Sequence, residues 1–559
     1  MTQRIFIGVA WPYANGPLHL GHIAGAYLPS DIFARYHRLK GNEVLMVSGS
    51  DQHGTPITIR AEQEGKTPKQ VAAYYHDGFL QAWDKLGISF DLFTSTETDN
   101  HKEVAQDVFR TLLEKNYIYK DTQSLPYCES CKRFLPDRYV EGECPNCGFK
   151  NSRGDQCDEC GKPLNASELK NLHCNICGNT PQFVESDHYL LRLSAFNDKL
   201  SEWVKKQTHF RKNVQNFSAR LLKEGLHDRA ITRDIDWGIP VPVPDFESKR
   251  LYVWFEAVIG YLSASKEWAK STGNPDKWQD FWTGDCKSYY FIGKDNIPFH
   301  TVIWPAMLMA YGQLNLPYDV PSNEHLTLEG KQFSTSRNWG VSLQYYLDKY
   351  APDPLRYMLS INMPETSDTD FSWREYVRRN NDELVATYGN LVHRVLTFTY
   401  RNYDEQVPEH PEYDGLSIAL LDEAKKTLQT VGNLLEQCKF RAATREAMAL
   451  AQKANQYLDE SAPWKRIKED RDATAAILCT VIEVISCLKT VLYPFLPFSS
   501  QKLHNLLGFE GNLQDQGWTI QIPESGQKLE KPEPLFTKLD DDVIKEEVDI
   551  LAQGQKETA

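Results

Sequence analysis

Two histidines, His19 and His22, stand three residues apart shortly after an apolar run at residues 5–9. The run predicts a buried strand, and the Gly- and Pro-containing residues after it predict a tight turn into a helix. Such a turn directs backbone N–H groups and the positive helix end toward a phosphate. Both imidazoles can donate to phosphate oxygens, and Gly21 lets a flat ring such as adenine approach the backbone. A bare pair is more often two surface histidines, but the whole string 10–22 favours a nucleotide site.

Cysteine spacing predicts a metal-binding segment. Eight of the twelve cysteines form four Cys-x-x-Cys pairs within fifty residues. One such pair is equally typical of a redox motif, whereas four with Gly and Asn in the turns indicate two Cys₄ zinc sites. Nine residues separate the two middle pairs, which close into one site, and the outer pairs form the second. The predicted sites are Cys144, Cys147, Cys157 and Cys160, and Cys128, Cys131, Cys174 and Cys177.

Four thiolates on each metal leave no position open for water, so we expect both zinc ions to be structural. Disulfides are the alternative, which a cytosolic location disfavours. The isolated cysteines are predicted to be buried, inert thiols; they are Cys286, Cys438, Cys479 and Cys487.

Charge and hydropathy bound the class of protein. The net charge is −14, which argues mildly against nucleic-acid binding, although the local distribution matters more than the sum. Between residues 204 and 233 eight Lys or Arg stand against two acids, and on charge alone a solvated helix face is the favoured explanation. Apolar runs are far shorter than the roughly 20 residues of a membrane span, and the N-terminus lacks a signal peptide. We therefore expect a cytosolic chain of about three or four domains.

Hydrophobic periodicity divides the chain into an α/β part and a helical part. Strand and helix patterns alternate up to residue 120, Cys, Gly, Pro and Asn dominate 121–183, and the α/β pattern then resumes. The predicted strands are residues 5–9, 44–49, 251–255 and 289–292, and the early helices are 23–39, 69–86 and 101–115. Later amphipathic helices are predicted at 375–401, 415–434, 439–459, 470–490 and 498–506. Residues after about 540 predict a charged, frayed tail.

The string 10–22 resembles the HIGH signature of class I aminoacyl-tRNA synthetases, in the form carried by methionyl-tRNA synthetases. Residues 51–56 (DQHGTP), 252–257 (YVWFEA) and 291–295 (FIGKD) resemble segments of the same family, and the resemblance covers roughly residues 1–500. Residues 331–337 (KQFSTSR) resemble the second signature, KMSKS, but Gln332 and Thr335 replace its lysines. Lys331 and Arg337 flank the motif and either could supply the cation; we favour Lys331.

The resemblance implies an α/β fold, with a class I Rossmann-type catalytic domain split by a Cys-rich zinc insertion and followed by an all-α helical-bundle anticodon-binding domain. The insertion is too small and too rich in cysteine for a separate editing site. The expected units are the catalytic halves 1–120 and 186–322, the insertion 121–185, a stem-contact unit 323–375, the bundle 376–540 and the tail 541–559. We expect a monomer, because the chain stops near the end of the bundle without an appended tRNA-binding domain.

The resemblance also implies a methionine–tRNA ligase with ATP, L-methionine and tRNA(Met), initiator and elongator, as partners and no membrane association. The cofactors implied are two structural Zn²⁺ ions and Mg²⁺ with ATP. The implied catalytic residues are His19, His22, Lys294, Lys331, Ser334 and Ser336, and ATP would also contact Gly21, Asp295 and Thr335. The implied methionine pocket is Tyr13, Asp51, Trp254, Ala257, Tyr261, Phe299 and His300, with Asp51 holding the ammonium. Asn390, Arg394 and Trp464 would bind the anticodon.

Plain structural explanations compete with these roles. The pocket aromatics could be core residues, Lys294 and Asp295 could form a surface ion pair, and Trp464 could pack between helices. A catalytically silent RNA-binding protein with the same fold is a second hypothesis, which the intact phosphate and ammonium contacts disfavour. A cysteinyl synthetase is a third, which the closed cysteine quartets and the aromatic pocket disfavour.

Overall fold

The computed structural model describes residues 2–333, 339–409 and 412–556. The strands, in chain order, are β1 (Arg4–Val9), β2 (Glu43–Ser50), β3 (Leu92–Ser95), β4 (Ile118–Cys128), β5 (Arg133–Phe134), β6 (Val140–Glu143), β7 (Ser152–Arg153), β8 (Lys170–Cys174), β9 (Gln182–Leu191), β10 (Arg229–Ala230), β11 (Thr232–Arg233), β12 (Arg250–Leu251), β13 (Cys286–Gly293), β14 (Ser322–Asn323), β15 (Leu326–Leu328), β16 (Lys331–Gln332) and β17 (Thr369–Phe371).

The α-helices, in chain order, are α1 (Leu20–His22), α2 (Leu28–Leu39), α3 (Thr55–Glu64), α4 (Pro68–Leu86), α5 (Asp99–Glu114), α6 (Asn197–Lys206), α7 (Lys212–Glu224), α8 (Val253–Ser271), α9 (Gln279–Trp282), α10 (Trp304–Tyr311), α11 (Leu343–Lys349), α12 (Pro352–Ile361), α13 (Trp373–Arg378), α14 (Asn390–Asn402), α15 (Gly415–Glu436), α16 (Phe440–Ser461), α17 (Pro463–Arg466), α18 (Arg471–Leu492), α19 (Pro497–Leu506) and α20 (Asp542–Lys556). Together with the strands they confirm the predicted α/β part and the helical part after it.

A parallel five-stranded sheet forms the centre of the α/β part. Its strand order is β14-β13-β1-β2-β3. Strands buried on both faces read as continuous apolar runs, and Ile5, Phe6 and Ile7 of β1 are indeed fully buried. The chain runs from β1 outward to β3 and later adds β13 and β14 on the other side. Ligands of such sheets bind where the strand order reverses, which here is the crevice at the carboxyl ends of β1 and β13.

The predicted strand at residues 251–255 is wrong. Strand β12 ends at Leu251, and helix α8 begins at Val253. A short apolar run does not distinguish a buried strand from a buried helix. Here the run continues into helix α8, whose buried residues do not alternate with exposed ones. The alternation that marks a half-buried strand is therefore absent.

The cysteine-rich insertion is an arm built on two long strands. Strand β4 pairs antiparallel with β9 along ten residues, from Ile118 opposite Leu191 to Tyr127 opposite Gln182. Beyond them lies a small sheet with the strand order β7-β6-β8. The arm leaves the α/β part after α5 and returns to it before α6, so it projects from one place on that part.

Helices α14–α19 form the predicted bundle, with α18 at its centre. Within the described part of the chain α18 is the one helix long and apolar enough to cross a membrane, and its apolar window is entirely buried by other residues. A helix that is apolar all round and covered by protein is typical of a bundle core.

The predicted frayed tail is wrong, because residues 542–556 form α20, which packs against α11 and α13. Glu547 is 1% exposed. It accepts hydrogen bonds from the hydroxyls of Tyr350 and Tyr345 at 2.6 and 2.9 Å, and Lys349 donates to it at 2.6 Å. Glu547 is buried because donors distant in the chain satisfy its carboxylate, so the residues next to it in the sequence do not predict its burial.

Candidate functional site

The segments that carry the predicted chemistry meet at the carboxyl edge of the central sheet. Asp51 directly follows β2, Lys294 directly follows β13, and His19 follows the turn after β1. The N–H of Ala10 donates to Phe291 of β13 at 3.0 Å, and the N–H of Asp51 donates to Pro12 at 2.8 Å. Parallel pairing of β1 with both neighbours therefore brings residues far apart in sequence to one crevice.

Three π-helical segments include or adjoin residues of the predicted sites. They are Ile23–Tyr27 after His22, Phe299–Ile303 in the predicted methionine pocket, and Arg379–Gly389 before Asn390. Each π turn widens the helix by one residue, and such turns are frequent at functional sites. The sequence does not predict these segments, because one wider turn hardly changes a hydrophobic pattern with a period of 3.6 residues.

The two histidines stack on each other, with ring centroids 3.7 Å apart. Gly21 N–H donates to Nδ1 of His19 at 3.1 Å, and His19 N–H donates to Nδ1 of His22 at 3.2 Å. Burial lowers the pKa of His22 to about 4, and burial together with His22 lowers the pKa of His19. Both rings are therefore neutral at pH 7 and carry the proton on Nε2, which remains able to donate.

A cleft of about 750 Å³ opens in front of these rings. Its wall includes Tyr13, His19, His22, Arg138, Arg153, Trp339 and Ser342. Two neutral donors and two guanidinium groups suit a polyphosphate. The N–H of Leu343 donates to Leu18 at 2.8 Å, so α11 is fixed against the histidine segment.

Phe333, from the second signature, stacks on His19 with centroids 4.5 Å apart and planes 7° from parallel. A Cβ built on Gly21 would stand 3.4 Å from this ring and 3.0 Å from His19. In this structure the glycine therefore admits the two aromatic rings, at the place where the sequence predicts adenine.

Lys294 and Asp295 lie at the end of β13 and are paired with residues of the following unit. Lys294 Nζ is 3.1 Å from Asp368 and 3.2 Å from Glu324, and Asp295 is 3.1 Å from His325. The lysine side chain is only 29% exposed. Contact with a phosphate requires it to exchange its carboxylate partners for the phosphate.

Lys331 is exposed at the start of β16. Its Nζ lies 4.4 Å from the centroid of the Trp339 ring and 3.4 Å from Oε1 of Gln555 on α20. Ser334, Thr335, Ser336 and Arg337, which complete the second signature, lie outside the described residues.

The predicted methionine residues gather around α8 and the second π-helical segment. Trp254 meets Phe299 edge to face at 4.7 Å, and the Tyr261 hydroxyl is 2.7 Å from Nε2 of His300. Burial and the charge of Asp51 raise the pKa of Tyr13. Ala257 lies one turn after Trp254 on α8.

These residues border two cavities. Tyr13 lines the cleft beside the histidines, whereas Trp254 and Phe299 line a second cavity of about 400 Å³ beneath the insertion. Tyr261 and His300 are almost fully buried. The structure therefore divides the predicted pocket residues between two cavities. Asp51 lines neither of them, but it lies beside Tyr13, with which it forms a β-bridge.

Asp51 has charged neighbours whose roles the sequence did not reveal. His53 bonds Glu256 at 2.8 Å and Glu97 at 3.0 Å, and Glu256 bonds His101 at 2.7 Å. The sequence could have pointed to His53 and Glu256, because they belong to the motif segments 51–56 and 252–257. It contained no such signal for His101, which lies on α5.

The cysteines form the two predicted quartets. In the outer one, Sγ of Cys128 and Cys177 are 3.5 Å apart and those of Cys131 and Cys174 are 3.9 Å apart. In the inner one, Cys144 to Cys160 is 4.0 Å and Cys147 to Cys157 is 3.6 Å. The four sulfurs of each quartet lie within 4.8 Å of one another.

These distances fit a tetrahedral zinc ion. Sulfurs about 2.3 Å from a central ion in a tetrahedron stand about 3.8 Å apart, whereas a disulfide needs about 2.05 Å. Each quartet could therefore hold one ion with every position filled by sulfur, which is a structural site.

The isolated cysteines are mostly buried, as predicted. Cys438, Cys479 and Cys487 are buried, but Cys286 at the first position of β13 is only half-buried. Burial raises the pKa of Cys286, Cys479 and Cys487 to about 12. At neutral pH these thiols stay protonated and unreactive.

In the helical bundle Arg394 and Trp464 come together. The Arg394 guanidinium lies 4.7 Å above the Trp464 ring and 3.5 Å from Asp459. Both line a cavity of about 480 Å³. Trp464 is 39% exposed, so its ring is open to solvent rather than packed between helices. Asn390 is exposed one turn before Arg394 and is not part of the cavity wall.

Two family models cover nearly the whole chain. The model described as "tRNA synthetases class I (M)" matches residues 5–396. The model described as "Anticodon binding domain of methionyl tRNA ligase" matches residues 407–554. The first covers the crevice, the insertion and the second signature, and the second covers Trp464.

Curated relatives match along their full length. The chain is 62% identical over 547 residues to the methionine–tRNA ligase of Dehalococcoides mccartyi (strain CBDB1), covering 98% of this chain and 99% of that one. It is 52% identical to that of Thermomicrobium roseum, covering 99% and 100%. A solved structure of Mycobacterium tuberculosis methionyl-tRNA synthetase in complex with methionyl-adenylate is 26% identical with a TM-score of 0.79, covering 96% of this chain and 100% of that one.

Proposed function

The chain belongs to the methionyl-tRNA synthetase family of class I tRNA synthetases, and from this premise we propose that it is a methionine–tRNA ligase whose crevice performs both steps of the reaction. In the first step methionine reacts with ATP to give methionyl-adenylate and pyrophosphate. In the second step the adenylate passes methionine to the 3′ end of tRNA(Met), initiator and elongator. The observation that carries the proposal is the meeting of His19, His22 and Asp51 at the carboxyl edge of one parallel sheet.

Adenylate formation needs no general base. The methionine carboxylate is already ionised at pH 7 and attacks the α-phosphorus. Catalysis is then alignment of the two substrates and stabilisation of the charge that grows on the phosphates. The neutral rings of His19 and His22 donate through Nε2 without the cost of removing a buried charge from water.

Cations complete the phosphate site. Lys294 would leave Asp368 and Glu324 for the triphosphate, and Asp295 beside it would bind the ribose. Lys331, on the exposed hairpin that leads into Ser334, Thr335 and Ser336, would move onto the pyrophosphate. ATP is expected to enter as its magnesium complex.

Methionine is selected by charge at one end and by shape at the other. Asp51 would hold the ammonium, and the aromatic group around Trp254 and Phe299 would surround the thioether, which offers only dispersion and weak sulfur contacts. Tyr13, Ala257, Tyr261 and His300 complete the proposed pocket.

The insertion and the bundle would position the tRNA. The two quartets would hold Zn²⁺, which makes the arm over the crevice rigid near the acceptor end. Asn390, Arg394 and Trp464 would bind the anticodon, since an aromatic ring with Arg and Asn donors is what unstacked bases require. We further propose a monomeric state, a cytoplasmic location and the unit boundaries given above, with helix α20 in place of the frayed tail.

Amino-acid-dependent ATP–pyrophosphate exchange across the standard amino acids tests the proposed function. We expect exchange with methionine alone. A folded, zinc-loaded protein that gave no exchange would favour the silent RNA-binding alternative. Exchange with another amino acid would show that the pocket assignment is wrong.

Replacing Trp464 with alanine is expected to lower kcat/KM for charging of tRNA(Met) by about 5- to 150-fold, because stacking on one base contributes roughly 1–3 kcal/mol. Methionine-dependent ATP–pyrophosphate exchange is expected to be retained, because the cavity lies in the helical bundle. Phe498→Ala is the matched control, since Phe498 is a 45% exposed aromatic of the same bundle outside the cavity. Equal loss of exchange and charging would indicate a folding defect and contradict the prediction.

A further inference from the structure

His53 lies at the centre of a buried group of charged side chains beside Asp51. Both residues are 3% exposed, and Glu256 is fully buried. Nδ1 of His53 is 2.8 Å from Oε1 of Glu256, and Nε2 is 3.0 Å from Oε2 of Glu97. The ring therefore uses both nitrogens on carboxylates from two different elements, α8 and the β3–α5 connection.

Glu256 is fixed as firmly as His53. Its second oxygen is 2.7 Å from Nε2 of His101, whose Nδ1 is 2.8 Å from the hydroxyl of Ser263. Burial alone raises the pKa of Glu256, but His53 and His101 outweigh it and lower the pKa overall. Lys69, 3.9 Å from Glu97, is a further cation near the group.

Asp51 and Glu256 thus stand in one buried site, and His53 contacts both, Glu256 through its ring and Asp51 through its backbone N–H at 3.2 Å. Burial and the negative charge of Glu256 raise the pKa of Asp51 well above its ordinary value, and His53 opposes this rise by its charge and by that backbone N–H. Burial lowers the pKa of His53, but Glu256 and Glu97 outweigh it and raise the pKa to about 10. The ring is therefore an imidazolium at neutral pH.

We propose that His53 is a positioning residue for methionine selection, a fixed buried cation that offsets the charge of Glu256 and so favours the ionised form of Asp51 when the substrate ammonium arrives. The inference rests on the proposed function, in which Asp51 binds that ammonium. Without the cation, two like charges would share a site of low dielectric, and one of them would take up a proton. A protonated Asp51 loses its charge-assisted contact with the ammonium.

The test begins with His53→Gln, which keeps a hydrogen-bond donor toward Glu256 and removes the charge. We expect KM for methionine to rise at least about tenfold in ATP–pyrophosphate exchange, with KM for ATP unchanged. Inhibition by 4-(methylthio)butanoate, which is methionine without its ammonium group, is expected to stay the same. An unchanged KM for methionine, or equal weakening of methionine and this analogue, overturns the proposal.

The double variant His53→Gln, Glu256→Gln separates charge from structure. Removing Glu256 also removes the repulsion that would protonate Asp51, so we expect KM for methionine to return to within about threefold of the wild-type value. If the group had only a structural role, the second substitution would raise KM for methionine further. A double variant as impaired as His53→Gln, or worse, overturns the proposal.

His504→Gln is the matched control, because His504 is a fully buried histidine of the helical bundle, on α19, whose Nε2 is 3.2 Å from the carbonyl oxygen of Glu510. It is expected to leave both KM values unchanged, and a rise like that of His53→Gln overturns the proposal. Asp51→Asn in the same assay distinguishes the two levels of inference. If that variant keeps a normal KM for methionine, the ammonium role of Asp51 fails; if it does not, the double variant decides the role of His53.

Discussion

Replacing Asp51 with asparagine is expected to lower kcat/KM for methionine in ATP–pyrophosphate exchange by about 10- to 150-fold. Asparagine keeps the shape of the side chain and its acceptor oxygen, but it loses the charge that holds the ammonium. A charge-assisted hydrogen bond contributes roughly 1.5–3 kcal/mol, and about 1.4 kcal/mol corresponds to a factor of ten. Steady-state exchange at varied methionine and at varied ATP measures the effect.

The loss is expected in the methionine dependence and not in KM for ATP, because Asp51 ends β2 beside the methionine residues. Glu267→Gln is the matched control. Glu267 is a partly buried carboxylate on α8 that lines neither of the two cavities, and it accepts from the hydroxyl of Thr94 at 2.9 Å. Near-normal methionine activation by Asp51→Asn would falsify the ammonium role.

Replacing Cys128 with serine is expected to reduce bound zinc from two ions to one per chain and to lower tRNA charging more than tenfold. Structural zinc contributes roughly 10–16 kcal/mol to the folding of small metal domains, so a quartet with three thiolates holds its segment poorly. The outer quartet packs against Ile59 of α3. Beside it the Tyr139 hydroxyl donates to Thr58 at 2.8 Å. Metal analysis and aminoacylation assays measure the two effects.

Cys144→Ser is expected to lose one zinc ion with a smaller effect on charging, because the hydrophobic cluster around the inner quartet, among the residues that the structure describes, consists of insertion residues such as Leu164 and Leu169. Cys286→Ser is expected to keep both ions, since Cys286 belongs to β13. A wild-type protein with one zinc ion or none would contradict the two-site assignment, and equal damage from both quartet variants would contradict the special role of the outer one.

The cysteine sites show how far local sequence reaches. A Cys-x-x-Cys turn places two sulfurs on one side of a short loop whatever the rest of the chain does. The spacing of the pairs then limits which turns can meet. The quartets around Cys128 and Cys144 could therefore be predicted before any tertiary structure was available.

The central strands were predictable for a similar reason. A strand buried on both faces, such as β1, must be apolar at every position, and this pattern is visible within five or six residues. The same argument failed at residues 251–255, because a helix buried on nearly all sides gives the same apolar run. Only the packing of α8 decided between the two.

By itself the sequence determined the chemical groups available to this protein, the order of its units and the family to which it belongs, because motifs and short-range periodicity are properties of neighbouring residues. The tertiary structure alone decided that α20 docks through Glu547, that Lys294 is held by carboxylates, and that His53 bonds Glu256. Each of these contacts joins residues distant in the chain. Burial and charge act through space, so the pKa of Asp51 and the partners of a buried carboxylate depend on the fold and not on the adjacent residues.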